Sequence, residues 1–289
     1  MTFESPIFIV GAGRSGSSIF YEMFCEHPRA AWMSTLCDKY PDKPDRNRQL
    51  MGWIDAPVIG PLLKRKYYPA ECYQFWNRLY RGFARPCRDL VAADVTEAAR
   101  ASIAQALPTL VTKRRSRLLA KITGWPRVGF LSAIFPDARF VHVYRDGRAV
   151  ANSLMQVDFW SGWEGPWVWR RGALSLAYQK EWEQQGQSFV ALAGIEWKIV
   201  MDAMEAAKER LPSRSLLEVR YEDFAADPVG SLKNITQFCG LDWSEGFEHS
   251  LRRYSVSTTN GKWKQDLTAD QQAILQDILG DALVHYGYR

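Results

Sequence analysis

A glycine-rich loop near the start of the chain has residue types that could bind an anion. Residues 11–18 read GAGRSGSS and lie between the apolar segment PIFIV and a segment whose apolar residues have helical spacing. Backbone N–H groups at a turn from a strand into a helix, together with the helix dipole, bind phosphate or sulfate. The hydroxyls of Ser17 and Ser18 add donors, and Arg14 adds a positive charge inside the turn.

Two common phosphate-binding patterns fit this loop in part. The dinucleotide-binding pattern G-x-G-x-x-G is satisfied, and Asp38 lies 22 residues after Gly16, close to the ~20 expected for a ribose-binding acid. The P-loop pattern G-x-x-x-x-G-K-[ST] matches at Gly11 and Gly16, but Ser17 occupies the lysine position. Since that lysine contacts the β and γ phosphates, ATP chemistry is disfavoured. An NAD(P)-dependent oxidoreductase remains open on this loop alone.

The same loop resembles the 5′-phosphosulfate-binding loop of the PAPS-dependent sulfotransferases, especially their bacterial and protein-tyrosine branches, where arginine replaces lysine. PAPS is 3′-phosphoadenosine-5′-phosphosulfate. The resemblance implies PAPS as the donor, the 3′,5′-bisphosphate PAP as the product, and no metal. Arg14 would neutralise charge on the leaving oxygen. The resemblance assigns these residues to the donor: Gly13, Arg14, Ser15, Gly16, Ser17 and Ser18.

A second segment, residues 134–155, resembles the strand and helix that bind the 3′-phosphate in this family. Arg145 ends the predicted strand and Ser153 follows eight residues later. A dinucleotide fold has no role for this segment, so the second motif favours the sulfotransferases. The resemblance further implies that Tyr221 helps to hold the adenine and that Lys262 is a partner of the 3′-phosphate.

The expected catalysis is an in-line transfer that depends on positioning and charge neutralisation. After Arg14, the second candidate for the leaving-group oxygen is Lys121, at the end of the predicted RLLAKI strand. Cytosolic relatives use a histidine shortly after this lysine, but here the segment reads KITGW. The tyrosine-sulfating branch uses a carboxylate after the first helix. We therefore expect Asp38 to be the general base, with Asp55 and Asp158 as rivals.

Tryptophans cluster in the segment DFWSGWEGPWVWRR, residues 158–171, where two glycines and a proline interrupt any helical stripe. We expect this segment to form an aromatic lid or wall of the acceptor pocket. It indicates a small-molecule hydroxyl acceptor that is aromatic or largely apolar, although a carbohydrate also stacks on tryptophan. The tryptophans are Trp160, Trp163, Trp167 and Trp169.

Strands and helices that alternate along the chain must position these residues. The alternation predicts a three-layer, P-loop-like α/β fold with a central parallel sheet flanked by helices. Between residues 38 and 90, DKYPDKPDRNRQ is predicted to be a loop and KYYPAECYQFWNRLYRGF a helical insertion. We expect one domain over 1–289, with a variable acceptor-side insertion around 38–110. Strands are predicted over 6–10, 117–122, 139–144 and 215–221, and helices over 95–108, 146–155, 194–212, 227–240 and 268–283.

Composition excludes several classes of protein. The chain has 47% hydrophobic residues, which is typical of a globular domain and not of a disordered one. Its net charge of +5, from 37 basic against 32 acidic residues, is interspersed, so a nucleic-acid partner is not expected. No apolar stretch is long enough for a membrane span. Five widely spaced cysteines indicate free thiols and a cytoplasmic location. A homodimer and a non-catalytic nucleotide-binding protein remain open.

Overall fold

A five-stranded parallel sheet organises residues 3–288, the part of the chain that the computed structural model describes. The strand order is β2-β3-β1-β4-β5, and each neighbouring pair is parallel. The chain steps to one side of β1 for β2 and β3 and to the other for β4 and β5, so the order reverses at β1, where ligands bind in such sheets. The strands are β1 (Ile7–Gly11), β2 (Ala30–Trp32), β3 (Arg117–Thr123), β4 (Arg139–Tyr144) and β5 (Leu216–Arg220).

Helices cover the sheet, as the α/β expectation requires. The fold class expected from the sequence is confirmed. The helices are α1 (Ser17–Phe24), α2 (Thr35–Lys39), α3 (Asp45–Trp53), α4 (Ile59–Lys66), α5 (Tyr73–Leu79), α6 (Glu97–Ala106), α7 (Val128–Ile134), α8 (Gly147–Leu154), α9 (Leu176–Gln184), α10 (Phe189–Lys208), α11 (Tyr221–Ala226), α12 (Pro228–Phe238), α13 (Glu245–Leu251), α14 (Trp263–Asp266) and α15 (Ala269–His285).

Two groups of buried apolar side chains form the core. The larger group includes residues 7–10 of β1, the aromatic residues of α1, and Phe75 and Trp76 of α5. The smaller group joins α8, α10 and α15, and α10 packs against both of the other helices. Within this second group Trp197 is fully buried, and its indole N–H donates to the backbone oxygen of Arg145 at 3.1 Å. The packing of α10 therefore positions the end of β4, where one predicted site residue lies.

Residues 38–49, predicted to be a loop, are largely helical, so that prediction is wrong. Helices α2 and α3 occupy most of this region. The Ser34 hydroxyl caps α2 by accepting from Leu36 N at 3.2 Å. The side chain of Asn47, buried in α3, accepts from Ser34 N at 3.0 Å and donates to Trp32 O at 3.0 Å. Contacts with β2 and its end thus stabilise helices whose own sequence is rich in proline and charge.

Other helix boundaries differ from the predicted ones. Helix α10 begins at Phe189, because the Ser188 hydroxyl caps it by accepting from Ala191 N, and it ends earlier than expected. Of the aromatic segment 66–83, predicted to be a helical insertion, only α5 and the end of α4 are helical. Helix α6 follows its predicted Thr96 cap, as expected.

Two further features bear on expectations from the sequence: the state of the cysteines, and whether any helix could span a membrane. All five cysteines are free. Within residues 3–288 no helix combines the length and apolar character that a membrane span requires.

Candidate active site

The glycine loop makes its turn through residues in the left-handed region. Arg14 has φ 68° and Gly16 has φ 79°. A Cβ atom on Gly16 would lie 2.1 Å from Cε2 of Tyr221, so the tyrosine ring packs directly on the loop. The buried hydroxyl of Ser15 donates to Ala12 O at 2.7 Å and stabilises the turn itself. Tyr221, expected at the adenine, therefore lies beside the loop expected at the 5′-phosphate.

Replacing Gly16 by alanine is expected to lower the free energy of unfolding by about 1–3 kcal/mol, because the new methyl group would meet the Tyr221 ring at a strained φ. Urea unfolding curves measure this loss. Gly13→Ala is the matched control, since no heavy atom lies within 4 Å of its added Cβ. Equal midpoints for the two variants would contradict the close packing of Tyr221 on the loop.

The two anion motifs meet although they are far apart in the sequence. Nε of Arg14 donates to Ser153 Oγ at 2.9 Å, across 139 positions. Nη1 of Arg145 lies 3.5 Å from the backbone oxygen of Arg14. Ser153 belongs to α8, which begins directly after β4 with Asp146 as its cap. The structure thus brings the loop after β1 and the β4–α8 junction together at the carboxyl edge of the sheet.

Arg145 is a buried cation whose recorded side-chain hydrogen bonds go to uncharged groups. Nε donates to Asn260 Oδ1 at 2.6 Å, Nη2 donates to Thr259 Oγ1 at 2.9 Å, and the guanidinium stacks over the Tyr221 ring at 5.1 Å. Within residues 3–288 no ion pair is recorded for Arg145, and burial lowers its pKa. Glu222 and Asp146 lie near enough to oppose this lowering of the pKa, but neither is in direct contact with the guanidinium, and a buried charge without a direct counter-charge is costly. This arrangement therefore favours an anionic ligand at the guanidinium.

The C-terminal segment closes on Arg145 through residues that the sequence analysis did not select. Thr259 and Asn260 contact the guanidinium, and Ser257 O accepts from the Tyr221 hydroxyl at 3.2 Å. Lys262 is exposed at the start of α14, and no side-chain hydrogen bond or ion pair is recorded for it in the described part of the chain. The prediction placed the right segment near Arg145, but the residues in contact are two and three positions earlier.

A cavity of about 640 Å³ opens beside the loop. The loop side contributes Gly13, Arg14, Ser17 and Ser18, and β3 contributes Lys121 and Thr123. Residues 71–86, which include α5, and the tryptophan segment form most of the remaining walls. The cavity therefore joins the predicted donor loop to the predicted acceptor side.

Lys121 links the donor loop to a carboxylate that the sequence analysis missed. Its Nζ donates to Ser18 Oγ at 2.8 Å and lies 3.0 Å from Oε1 of Glu71. The hydroxyl of Thr123 donates to the other Glu71 oxygen at 2.8 Å. Glu71 lines the cavity, with its side chain 21% exposed. A carboxylate therefore stands beside the expected reaction centre.

Long-range contacts position Glu71, and no spacing in the sequence indicates them. Ala70 N donates to Met33 O at 2.9 Å, and Ser34 and Pro69 form an antiparallel bridge. After Glu71, the Tyr73 hydroxyl donates to Thr123 O at 2.9 Å. These contacts attach residues 69–73 to the ends of β2 and β3.

The three predicted acids lie elsewhere. Asp38 accepts from the backbone N of Gln74 at 2.8 Å, so it supports the start of α5, and it does not line the cavity. Asp55 pairs with Arg115 at 2.6 Å, and Asp158 is exposed outside the cavity lining. The position of Asp38 thus does not support the role of general base, and Glu71 is the better-placed carboxylate.

The tryptophan segment forms a wall, but only half of its tryptophans line the cavity. Trp160 and Trp169 are buried and line it, whereas Trp163 and Trp167 are 64% and 75% exposed and lie outside its lining. The Trp160 indole N–H donates to Glu196 Oε2 at 2.7 Å. The aromatic wall is therefore formed by fewer tryptophans than the sequence suggested, and a carboxylate contacts one of them.

Comparisons with known proteins give one consistent result. The model of the sulfotransferase family matches residues 6–245. Omega-hydroxy-beta-dihydromenaquinone-9 sulfotransferase Stf3 of Mycobacterium tuberculosis (strain CDC 1551 / Oshkosh) is 24% identical over 318 residues, which cover 99% of this chain and 76% of that protein.

Solved structures agree with this assignment at the level of the fold. Sulfotransferase STF9 from Mycobacterium avium has a TM-score of 0.62 at 14% identity, covering 100% of this chain and 78% of its own. Sulfotransferase STF1 from Mycobacterium tuberculosis H37Rv has a TM-score of 0.56 at 17% identity, covering 96% and 77%. The chain therefore belongs to the sulfotransferase family, and the enzyme class expected from its sequence, a PAPS-dependent sulfotransferase, is confirmed.

Proposed function

We propose that the chain moves the sulfuryl group of PAPS to the hydroxyl of a small molecule held in the cavity of about 640 Å³. One observation carries the proposal: Arg14 and Arg145, from two separate motifs, meet beside this cavity with uncharged hydrogen-bond partners. Two cations with no carboxylate in direct contact within residues 3–288 suit a ligand with two separate anionic groups. PAPS is such a ligand.

Each part of the donor has residues that suit it. The amides of residues 13–18 and the Ser17 hydroxyl, at the start of α1, would hold the 5′-phosphosulfate. Arg145 and Ser153 would hold the 3′-phosphate, with Asn260 and Thr259 orienting the guanidinium. The Tyr221 ring offers the adenine a flat surface next to the loop.

The chemistry needs a proton acceptor and a positive charge at opposite ends of the transferred group. The acceptor oxygen forms a bond to sulfur while the bond from sulfur to the 5′-phosphate oxygen breaks. Glu71 takes the hydroxyl proton, and the electron pair stays on the phosphate oxygen of PAP. Arg14 and Lys121 neutralise the charge that develops there. The contact of Lys121 with both Ser18 and Glu71 supports this order of groups.

The acceptor type, the cell compartment and the oligomeric state that were predicted from the sequence are also part of this proposal. The name of the menaquinone sulfotransferase describes a hydroxylated acceptor, which supports a hydroxyl acceptor here. Trp160 and Trp169 support an acceptor with a ring, aromatic or carbohydrate, that stacks on the wall. The free cysteines support a reducing, cytoplasmic compartment. A homodimer stays a prediction.

Binding of PAP tests the donor site. We expect a hundredfold excess of PAP over its dissociation constant to stabilise the protein by ~2.7 kcal/mol, seen as a higher Tm in a thermal-shift assay. Adenosine 5′-phosphate, ATP and NAD should shift the Tm less, because none of them carries both the 5′- and the 3′-phosphate.

Arg145→Ala is the control for the 3′-phosphate. It should weaken PAP binding by ~1.5–3 kcal/mol and leave binding of adenosine 5′-phosphate almost unchanged, since only PAP has the group that loses its partner. A larger shift with NADP than with PAP in the unaltered protein would contradict the proposal.

A further inference from the structure

Two arginines of the cavity wall have no recorded protein partner. Arg85 and Arg170 both line the cavity and are exposed to it. Within residues 3–288 no hydrogen bond and no ion pair is recorded for either side chain. The guanidinium of Arg171 differs, because it lies 2.6 Å from Glu196 Oε1. That of Arg127 donates to backbone oxygens, including that of Phe83 at 2.9 Å.

The charges of the cavity do not balance. Among its lining residues there are six cations and two carboxylates. Under the proposed function the donor uses Arg14, and Lys121 already lies beside Glu71. Arg171 takes Glu196, and Arg127 has backbone partners. The cations are Arg14, Arg85, Lys121, Arg127, Arg170 and Arg171, and the carboxylates are Glu71 and Glu196. Within the described residues, Arg85 and Arg170 therefore remain as the lining cations that have neither a recorded protein partner nor a proposed role at the donor.

The backbone brings these two arginines together. A Cβ on Gly172 would lie 2.1 Å from the backbone oxygen of Cys87, so the backbone at residue 172 packs against residue 87, and each of these residues lies two positions after one of the two arginines. The pKa of Arg170 is lowered, first by burial and then by the positive charge of Arg85. Like charges that lie close together repel, and an anion between them relieves the repulsion.

We propose that Arg85 and Arg170 bind an anionic group, a carboxylate or a phosphate, on the molecule that carries the accepting hydroxyl. The proposal rests on the proposed function and adds the substrate class: an anionic acceptor in place of a largely apolar one. Guanidinium groups bind both anions through paired N–H donors, and two of them fix the orientation of a ligand. Trp160 and Trp169 would contact the part of the acceptor between its anion and its hydroxyl.

Isothermal titration of the PAP-saturated protein tests this inference with matched probes. 4-Hydroxyphenylacetate is compared with its methyl ester, and 4-hydroxyphenyl phosphate with hydroquinone. We expect at least one anion to bind about tenfold tighter than its neutral counterpart, the change that about 1.4 kcal/mol produces. The pair of probes in which the anion binds more tightly shows whether the anionic group of the acceptor is a carboxylate or a phosphate.

Substitutions of the two arginines test whether they cause the tighter binding of the anionic probe. Arg85→Gln and Arg170→Gln should each abolish most of it, whereas Arg81→Gln, at an exposed residue outside the cavity lining, should retain it. Equal affinity for charged and neutral probes in the unaltered protein overturns the inference. Weaker PAP binding in Arg85→Gln or Arg170→Gln also overturns it, because the pair would then serve the donor. If PAP fails to bind the unaltered protein, the proposed function itself fails.

Discussion

Replacing Glu71 by glutamine is expected to lower turnover by about 10² to 10⁴, the usual loss when a positioned base is removed. Glutamine keeps the size of the side chain and can still accept from Thr123, but it cannot take the proton of the acceptor. The affinity for PAP should stay nearly unchanged, because no recorded contact joins Glu71 to the loop directly. Steady-state kinetics give the turnover, and titration with PAP gives the affinity.

Two controls accompany this prediction: a comparison of two kinds of acceptor, and the replacement of a second carboxylate, Asp38. A phenol should lose less activity than an alkyl alcohol, since it ionises more readily without a base. Asp38→Asn should keep most of the turnover, because Asp38 supports the start of α5 from outside the cavity. Its cost in stability should be small, because the asparagine side-chain oxygen can still accept from Gln74 N. Normal turnover of Glu71→Gln together with an inactive Asp38→Asn would restore the assignment made from the sequence.

The meeting of the two segments that we propose for the donor could be predicted from the sequence, because the signals of each segment are local. The loop after β1 and the segment around Arg145 each combine a strand, a charged residue and a helix start within a short window. The alternation of strands and helices then predicts that both reach the same edge of the sheet. Arg14 and Ser153 are hydrogen-bonded there.

The acceptor side could not be predicted because it depends on contacts between distant segments. Glu71 reaches Lys121 only because residues 69–73 are attached to the ends of β2 and β3. The pairing of Arg85 with Arg170 depends on the packing of Gly172 against Cys87. Neither arrangement has a periodicity or spacing that a single sequence reveals. In the same way, α3 was missed because Asn47 is held by β2 and its end.

Replacing Lys121 by methionine is expected to lower the rate of sulfuryl transfer by about 10² to 10³, the loss seen when one donor to a developing negative charge is removed. Methionine keeps the apolar stem of the buried side chain and removes only the charge. Single-turnover rates with saturating PAPS separate transfer from product release. Ser18→Ala is the matched control: it removes the hydrogen-bond partner of Lys121 but leaves the ammonium beside Glu71, so its loss should be smaller.

The double variant Lys121→Met with Glu71→Gln decides whether the two side chains act as one unit. Their charged atoms lie 3.0 Å apart, so each single change also disturbs the other group. The effects of substitutions at residues in contact are rarely additive, and those at groups that act together in catalysis are far from additive. We therefore expect the double variant to be about as slow as the slower single variant. Losses that multiply would mean that Lys121 and Glu71 act independently, and the proposed route of the proton and the charge through this pair would be wrong.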